Sequence, residues 1–418
     1  VVLFGLRALL FVADGMADRP LKELGWKTPL EAAKKPALDK LAEMGVCGIV
    51  DPISPGIPPG SDASTLSLLG YDALKVYSGR GALEAIGSGV NVLPGDVAFR
   101  CNFATVDKRM IVLDRRAGRI SNDDASKLAD SLRKIRPKHS DDVRFFFKNT
   151  VQHRGALVIR GPRLSTCVSD TDPEVAGKRV LEMKPLDKSR EARHTAAIVN
   201  EILAEFHKVL DAHSVNKQRV EQKLPPANMI LCRGAGTIPD ISPLSDVFGV
   251  KSACVAAVSL IRGVCKAAGV VILDVKGATG TPQTDYMAKA RAAVKALKTC
   301  DFVFLHVKAT DVAAHDGKAD LKVQVIEKID EMMAYILDKA DLFSTFVALT
   351  ADHTTSSLTQ NHEGDPVPVA IAGPYVRSDH VCCFGERACA EGGLNRIRGN
   401  DVMYTLMGLL GRTKKFGA

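Results

Sequence analysis

Phe302-Val303-Phe304-Leu305-His306-Val307-Lys308-Ala309-Thr310-Asp311 carries an apolar run into a carboxylate, and His315 follows four residues later. The pattern occurs twice more. Leu9-Leu10-Phe11-Val12-Ala13 ends in Asp14, and Phe346-Val347-Ala348-Leu349-Thr350-Ala351 ends in Asp352-His353, with His362 nine residues on. Runs rich in Val, Leu and Phe, without polar alternation, read as strands buried on both faces, as in parallel sheets. Open α/β sheets collect ligands beyond the carboxyl ends of their strands. Three strands therefore deliver Asp and His to one place, which is what a metal centre needs.

The chain has 418 residues, 46% apolar and 25% charged, enough for one large domain and a smaller one, and ordinary for a soluble enzyme. Its longest mostly apolar stretch, Ser252 to Val275, is broken by Arg262 and Lys266, so no membrane span is expected. The apolar start, Val1 to Ala13, has no basic leader and runs straight into Asp14; the alternative, a signal peptide, would discard that carboxylate. Ten cysteines without a Cys-x-x-Cys pair read as reduced thiols of a cytoplasmic protein. The net charge is +8, and between Arg119 and Pro185 there are 14 basic and 9 acidic residues. That surplus suits a small anionic substrate, nucleic acid or a merely solvated face. No aromatic stacking motif or basic repeat supports nucleic acid.

Pro29 to Met44 reads as one helix, and Asp62 to Leu69 as a short helix after the Pro/Gly-rich loop Pro52–Gly60. Ser78 to Leu93, with its glycines, reads as loop, and Val97–Val106 with Met110–Leu113 as a hairpin. Helices alternating with strands imply an α/β fold, doubly wound on a mostly parallel sheet. A smaller inserted α+β domain is expected at about 119–185, between segments 1–118 and 186–418, with a start as early as 79 as the alternative.

Asp311-x-x-x-His315 and Asp352-His353 offer oxygen and imidazole donors, which suit Mn²⁺, Mg²⁺, Co²⁺ or Zn²⁺, and the lack of cysteine argues against a structural zinc site. Each of these residues alone is equally a helix cap or a satisfied core group; their joint occurrence at strand ends is the signal. Gly60-Ser61-Asp62 opens a helix, where a serine can cap the first turn or carry a phosphoryl group held by free N–H groups. Asp114-Arg115-Arg116-Ala117-Gly118-Arg119 gathers three guanidinium groups, and His153-Arg154 adds a further anion contact. Arginine grips carboxylate and phosphate bidentately, so a phosphorylated acid fits, as does plain surface charge. Ser169-Asp170-Thr171-Asp172-Pro173 places two carboxylates on a turn, either functional or an Asx turn. Arg233-Gly234-Ala235-Gly236, Gly277-Ala278-Thr279-Gly280 and Gly79-Arg80-Gly81 are glycine loops of weaker significance.

These motifs coincide in one family. The chain resembles the archaeal-type cofactor-independent phosphoglycerate mutases of the alkaline-phosphatase superfamily, nearly end to end. The resemblance is carried by Ala13–Asp18, Gly60-Ser61-Asp62 with Leu68–Asp72, Gly79–Gly81 with Leu83–Gly87, Asn102–Thr105, Asp114–Arg119, Ser169–Pro173, Gly277–Gly280, Lys308–Asp311, Thr350–His353 and Lys415–Ala418. It implies an alkaline-phosphatase-like sheet and interconversion of 3-phosphoglycerate and 2-phosphoglycerate through a phosphoserine, independent of 2,3-bisphosphoglycerate. By that resemblance Ser61 is the nucleophile, and Asp14, Ser61, Asp352 and His353 hold one divalent metal. Asp311, His315 and His362 hold the other, with Mn²⁺ the foremost candidate. Asp170 is implied as the acid/base, and Arg116, Arg119, His153, Arg154, Asp172, Arg262 and Lys308 as substrate contacts. The polar Ala63-Ser64-Thr65 departs from the family and leaves Ser64 as a rival nucleophile. Expected partners are the small phosphoglycerate substrate and a second copy in a homo-oligomer, with neither nucleic acid nor membrane. The same metal site would also serve a phosphohydrolase or a phosphopentomutase, or a regulatory module that has lost turnover.

Overall fold

The computed structural model describes residues 5–135 and 142–417. Residues 1–4 of the apolar start, 136–141 of the basic stretch and Ala418 of the closing motif lie outside the described residues. The chain forms two compact units, Val1–Tyr77 with Asp240–Ala418, and Ser78–Pro239.

The first unit is built on an eight-stranded sheet in the order Asn395–Arg398, Val46–Asp51, Val367–Ala372, Thr345–Thr350, Arg7–Ala13, Phe302–Val307, Ser252–Val255 and Val271–Ile272. Val367–Ala372 runs antiparallel to both neighbours, and the other pairings are parallel. Every residue of Phe302–Val307 and Thr345–Thr350 is buried, which is why these runs are so largely apolar, His306, Thr345 and Thr350 being their polar members. Register sets Ala13 beside Val307 and Val12 beside Thr350. The three strands thus end level, and the residues after them leave the sheet at one edge.

The single helix expected over 29–44 is two, Pro29–Ala32 and Pro36–Met44. Pro36 has no N–H to give, and it forces the residue before it out of the helical region. The Ala319–Lys339 helix carries a fully buried lysine, Lys322. Its Nζ donates to Ala17 O at 3.0 Å, Asp18 Oδ2 at 2.9 Å and Thr355 O at 2.7 Å, so all three N–H bonds are used. Asp18 also accepts from the Ser357 N–H and hydroxyl. One ammonium therefore ties the loop after Arg7–Ala13 to the loop after Thr345–Thr350.

The second unit is an antiparallel sheet in the order Val112–Asp114, Val97–Val106, Arg154–Arg160, Arg144–Asn149, with Met229–Gly236 also paired to Val97–Val106. It spans Ser78–Pro239, starting beside the alternative boundary at 79 and running well past the expected end at 185. The cause is strand pairing: Val97–Val106 is bonded to both Arg154–Arg160 and Met229–Gly236. The excess of basic charge marked only the middle of the unit. Arg190–Ala212 packs on one face, where Phe206 meets Phe145 and Phe147 edge-on at 5.3 and 5.6 Å. The opposite face packs Ala82 and Ala85 against Ala98, Ala156 and Val158. Those two alanines lie on a helix, Arg80–Gly87, where the glycines had suggested loop. Gly81 serves close approach, since a Cβ there would sit 2.1 Å from Ala98 O.

Among the described residues no helix is long and apolar enough to cross a membrane. All ten cysteines are unpaired thiols.

Replacing Lys322 by Met should cost about 3–5 kcal/mol of stability, because the Asp18 charge is left buried without its partner. A lowered thermal midpoint, partly recovered by adding Asp18→Asn, is the expected result; an unchanged midpoint would show that the pair carries no such weight.

Candidate metal centre

Level strand ends decide what meets here. Asp14 follows Arg7–Ala13, Asp352 and His353 follow Thr345–Thr350, and Asp311 lies in the first turn of the Ala309–His315 helix that succeeds Phe302–Val307. His362 comes from the hairpin Thr354–Ser356 with Asn361–Glu363, where it pairs with Thr355. Ser61 is the first residue of the Ser61–Leu68 helix, with Gly60 at the N-cap.

The side chains converge in two overlapping sets. Asp311 Oδ1 lies 3.3 Å from both His315 Nε2 and His362 Nε2, which are 3.2 Å apart. His353 Nε2 lies 3.5 Å from Asp14 Oδ1 and 3.4 Å from Asp352 Oδ2. Ligand atoms of Asp14, Asp352 and His353 fall within 4.8 Å of one another, as do those of Asp311, His353 and His362. The His353 and His362 rings stack with centroids 3.7 Å apart.

The far side of each ligand is tied down. His315 Nδ1 meets Gln360 O at 2.6 Å and His362 Nδ1 meets Pro59 O at 2.7 Å. A carbonyl only accepts, so both Nδ1 atoms carry hydrogen and neutral rings turn bare Nε2 lone pairs toward Asp311. Asp352 Oδ1 accepts from Gly15 N at 3.0 Å, while its buried Oδ2 has no hydrogen-bond partner among the described residues. Asp14 Oδ2 accepts from His306 Nε2 at 3.0 Å. Acceptors thus face acceptors, and buried acceptors need a donor or a cation. With oxygen and imidazole donors and no thiolate, the set fits a hard or borderline divalent metal.

Among the described residues, Lys308 is the one ammonium hydrogen-bonded within this cluster. Its Nζ donates to Asp14 Oδ1 at 2.9 Å, lies 2.7 Å from Asp311 Oδ2 and reaches Ser61 Oγ at 3.4 Å. Burial opposes that charge, but Asp14, Asp311 and Asp352 outweigh it and raise the pKa above its ordinary value. Burial likewise resists ionisation of Asp14 and Asp311, yet Lys308 holds both carboxyls below the usual range. Burial, then the Asp14 charge, pushes Asp352 well up. Burial drives His353 down to about 3.

Ser61 Oγ lies 3.0 Å from His353 Nε2 and makes no cap bond to its own helix. The rival Ser64 spends its hydroxyl on Gly60 O at 3.1 Å, one turn back. Arg262 pairs with Asp274 at 2.6 Å, beside a cavity of about 390 Å³ that Lys276 also lines.

In the second unit, Asp170 Oδ1 accepts from Gly234 N at 2.8 Å. Asp172 is gripped bidentately by Arg115 at 2.9 and 2.6 Å, so its oxygens are already engaged within the unit. Asp114 accepts from the Arg116 and Gly118 amides and shapes the turn that presents Arg116 and Arg119 to solvent. His153 is buried with no partner at Nδ1 among the described residues, and Arg154 beside it is exposed. Burial, then Arg154, Arg116 and Arg100, pushes His153 down to about 4. Arg100 is itself pushed to about 10 by burial and then Arg80. Arg100, Lys322, His306 and Thr355 carry no functional signal in the sequence, because each shows its role only through a distant partner. Arg115 belongs to the guanidinium cluster read there as an anion grip, and the structure pairs it with Asp172. Arg80 and Arg233 stand in the sequence only as members of glycine loops.

Residues 42–216 match the family model described as 2,3-bisphosphoglycerate-independent phosphoglycerate mutase. A 2,3-bisphosphoglycerate-independent phosphoglycerate mutase of Methanocaldococcus jannaschii is 48% identical over 412 residues, covering 99% of both chains. One from Methanococcus vannielii is 48% identical over 413 residues, covering 99% of this chain and all of the other. The solved cofactor-independent phosphoglycerate mutase of Thermoplasma acidophilum is 37% identical with a TM-score of 0.72, covering 97% of this chain and 100% of that one.

His153 should stay neutral until the pH falls to about 4, while the unfolded chain takes up that proton near 6.5. The folded value is the lower one, so the stability is full above 6.5 and is lost as pH falls from 6.5 to about 4. His153→Gln should flatten this part of the acid-unfolding curve. An imidazole seen by NMR to titrate near its ordinary value would contradict the assignment.

Proposed function

The chain belongs to the family of 2,3-bisphosphoglycerate-independent phosphoglycerate mutases and is an isomerase that interconverts 3-phosphoglycerate and 2-phosphoglycerate; we propose that it works through a phosphorylated Ser61 beside two divalent metals. The observation that carries this reading is the placing of one helix-opening hydroxyl at 3.0 Å from His353 Nε2 and 3.4 Å from Lys308 Nζ, against two sets of acceptor atoms.

Asp14, Ser61, Asp352 and His353 would hold one metal, and Asp311, His315 and His362 the other, with Mn²⁺ the one we expect. Bound there, the metals would supply Lewis acidity, lowering the pKa of the Ser61 hydroxyl and neutralising phosphoryl oxygens. The chain's own groups do the rest. Ser61, fixed at the head of its helix and entering as the alkoxide its lowered pKa allows, its proton lost to solvent, attacks the phosphorus in line as the P–O bond to glycerate breaks. Lys308 brings a positive charge to the same oxygen. Free N–H groups of the first turn add donors for the transferred group. Asp170 protonates the departing glycerate oxygen and later takes a proton from the other hydroxyl, which recovers the phosphoryl group. Arg116, Arg119, His153, Arg154 and Arg262 are retained as contacts to carboxylate or phosphate. Asp172 acts through Arg115, which it orients. Positioning and charge neutralisation account for most of the rate, as phosphoryl transfer asks little covalent chemistry of a protein. We place the enzyme in the cytoplasm, in keeping with its ten unpaired thiols.

Ser61→Ala should lower turnover by at least about 10³-fold in an enolase-coupled assay run without 2,3-bisphosphoglycerate, with metal content largely kept. Metal-stripped protein should be inactive and recover with added Mn²⁺. Retained mutase activity in the alanine variant would refute the nucleophile assignment.

A further inference from the structure

Thr355 lies two residues beyond His353 and is fully buried. Its backbone is fixed independently of its side chain: the N–H donates to Ala17 O at 3.1 Å, and the carbonyl accepts from Lys322 Nζ at 2.7 Å. Its Oγ1 stands 2.9 Å from Asp311 Oδ1 and 3.0 Å from His353 Nδ1. There is no slack around it, since a Cβ on Gly15 would come within 2.3 Å of that oxygen.

A hydroxyl has one proton to give. The Asp311 carboxylate only accepts, so the Thr355 proton goes there, and Oγ1 accepts in turn from His353 Nδ1–H. His353 is thereby held as the tautomer with a bare Nε2. That nitrogen is the atom set 3.0 Å from Ser61 Oγ, 3.5 Å from Asp14 Oδ1 and 3.4 Å from Asp352 Oδ2. The same hydroxyl orients Asp311 Oδ1, which lies 3.3 Å from both His315 Nε2 and His362 Nε2.

We propose that Thr355 is a positioning residue shared by both metal sets: its single hydroxyl orients one ligand of each, so the two sets keep or lose their affinity together. The inference rests on the two-metal reading above. Partners that orient metal ligands are worth roughly 10–100-fold in affinity.

The test uses full-length, metal-stripped protein titrated with Mn²⁺, following bound and free metal by EPR. Thr355→Val is close in shape and removes the hydroxyl; Thr355→Ser restores it. The valine variant should bind both equivalents about 10–100-fold more weakly and need correspondingly more Mn²⁺ for half-maximal activity, and the serine variant should recover within a few-fold. In ¹⁵N spectra of the metal-free protein, His353 should carry its proton on Nδ1, and the valine variant should lose that preference. Unmodified protein that binds no Mn²⁺ would defeat the metal reading itself. If it binds, then unchanged affinity in Thr355→Val, weakening of one equivalent alone, or failure of serine to rescue would overturn the shared role.

Discussion

Buried acceptors cannot be packed against one another without positive charge, and this constraint governs the first unit. Three carboxylates and three imidazoles come together at the ends of parallel strands, with backbone carbonyls and Thr355 claiming the N–H of each metal-facing ring. What remains at the centre is almost entirely lone pairs. Lys308 balances part of that charge, and Lys322 balances Asp18 immediately behind it. A fold optimised for stability alone would avoid such an arrangement, so its presence points to a bound cation.

Much of this was legible in the sequence, for a physical reason. A parallel strand covered on both faces is mostly apolar, so Phe302–Val307 and Thr345–Thr350 announce themselves, and the polar residues that follow each mark the sheet edge. The Asp and His offsets then follow from local geometry. What stayed hidden depended on distant partners. Arg80–Gly87 looked like loop because glycine is a weak helix former, yet Gly81 is there to let the helix touch the backbone of Val97–Val106. The limits of the second unit were hidden for the same reason, since strand pairing between Val97–Val106 and Met229–Gly236 leaves no mark in composition.

Serine 61 and serine 64 show what side-chain geometry adds to a motif. Both lie in one polar turn, and residue type does not separate them. Hydrogen bonding does: Ser64 closes on Gly60 O as helix-interior serines do, while Ser61 turns outward to His353 and Lys308.

The two layers of the centre divide the work. Strand register sets how far each ligand projects, because Asp14, Asp311 and Asp352 all follow strands that end level. Rotation about each side chain is set by the atom that faces away from the centre: Asp14 Oδ2 on His306, Asp352 Oδ1 on Gly15 N, His362 Nδ1 on Pro59 O. These side chains are therefore oriented by the protein itself, so a cation bound there would need little reorganisation of them. The free energy is spent during folding, in desolvating the carboxylates, and is offset there by the buried lysines. A hydroxyl such as Thr355 has leverage out of proportion to its size, because it stands where both sets are oriented at once.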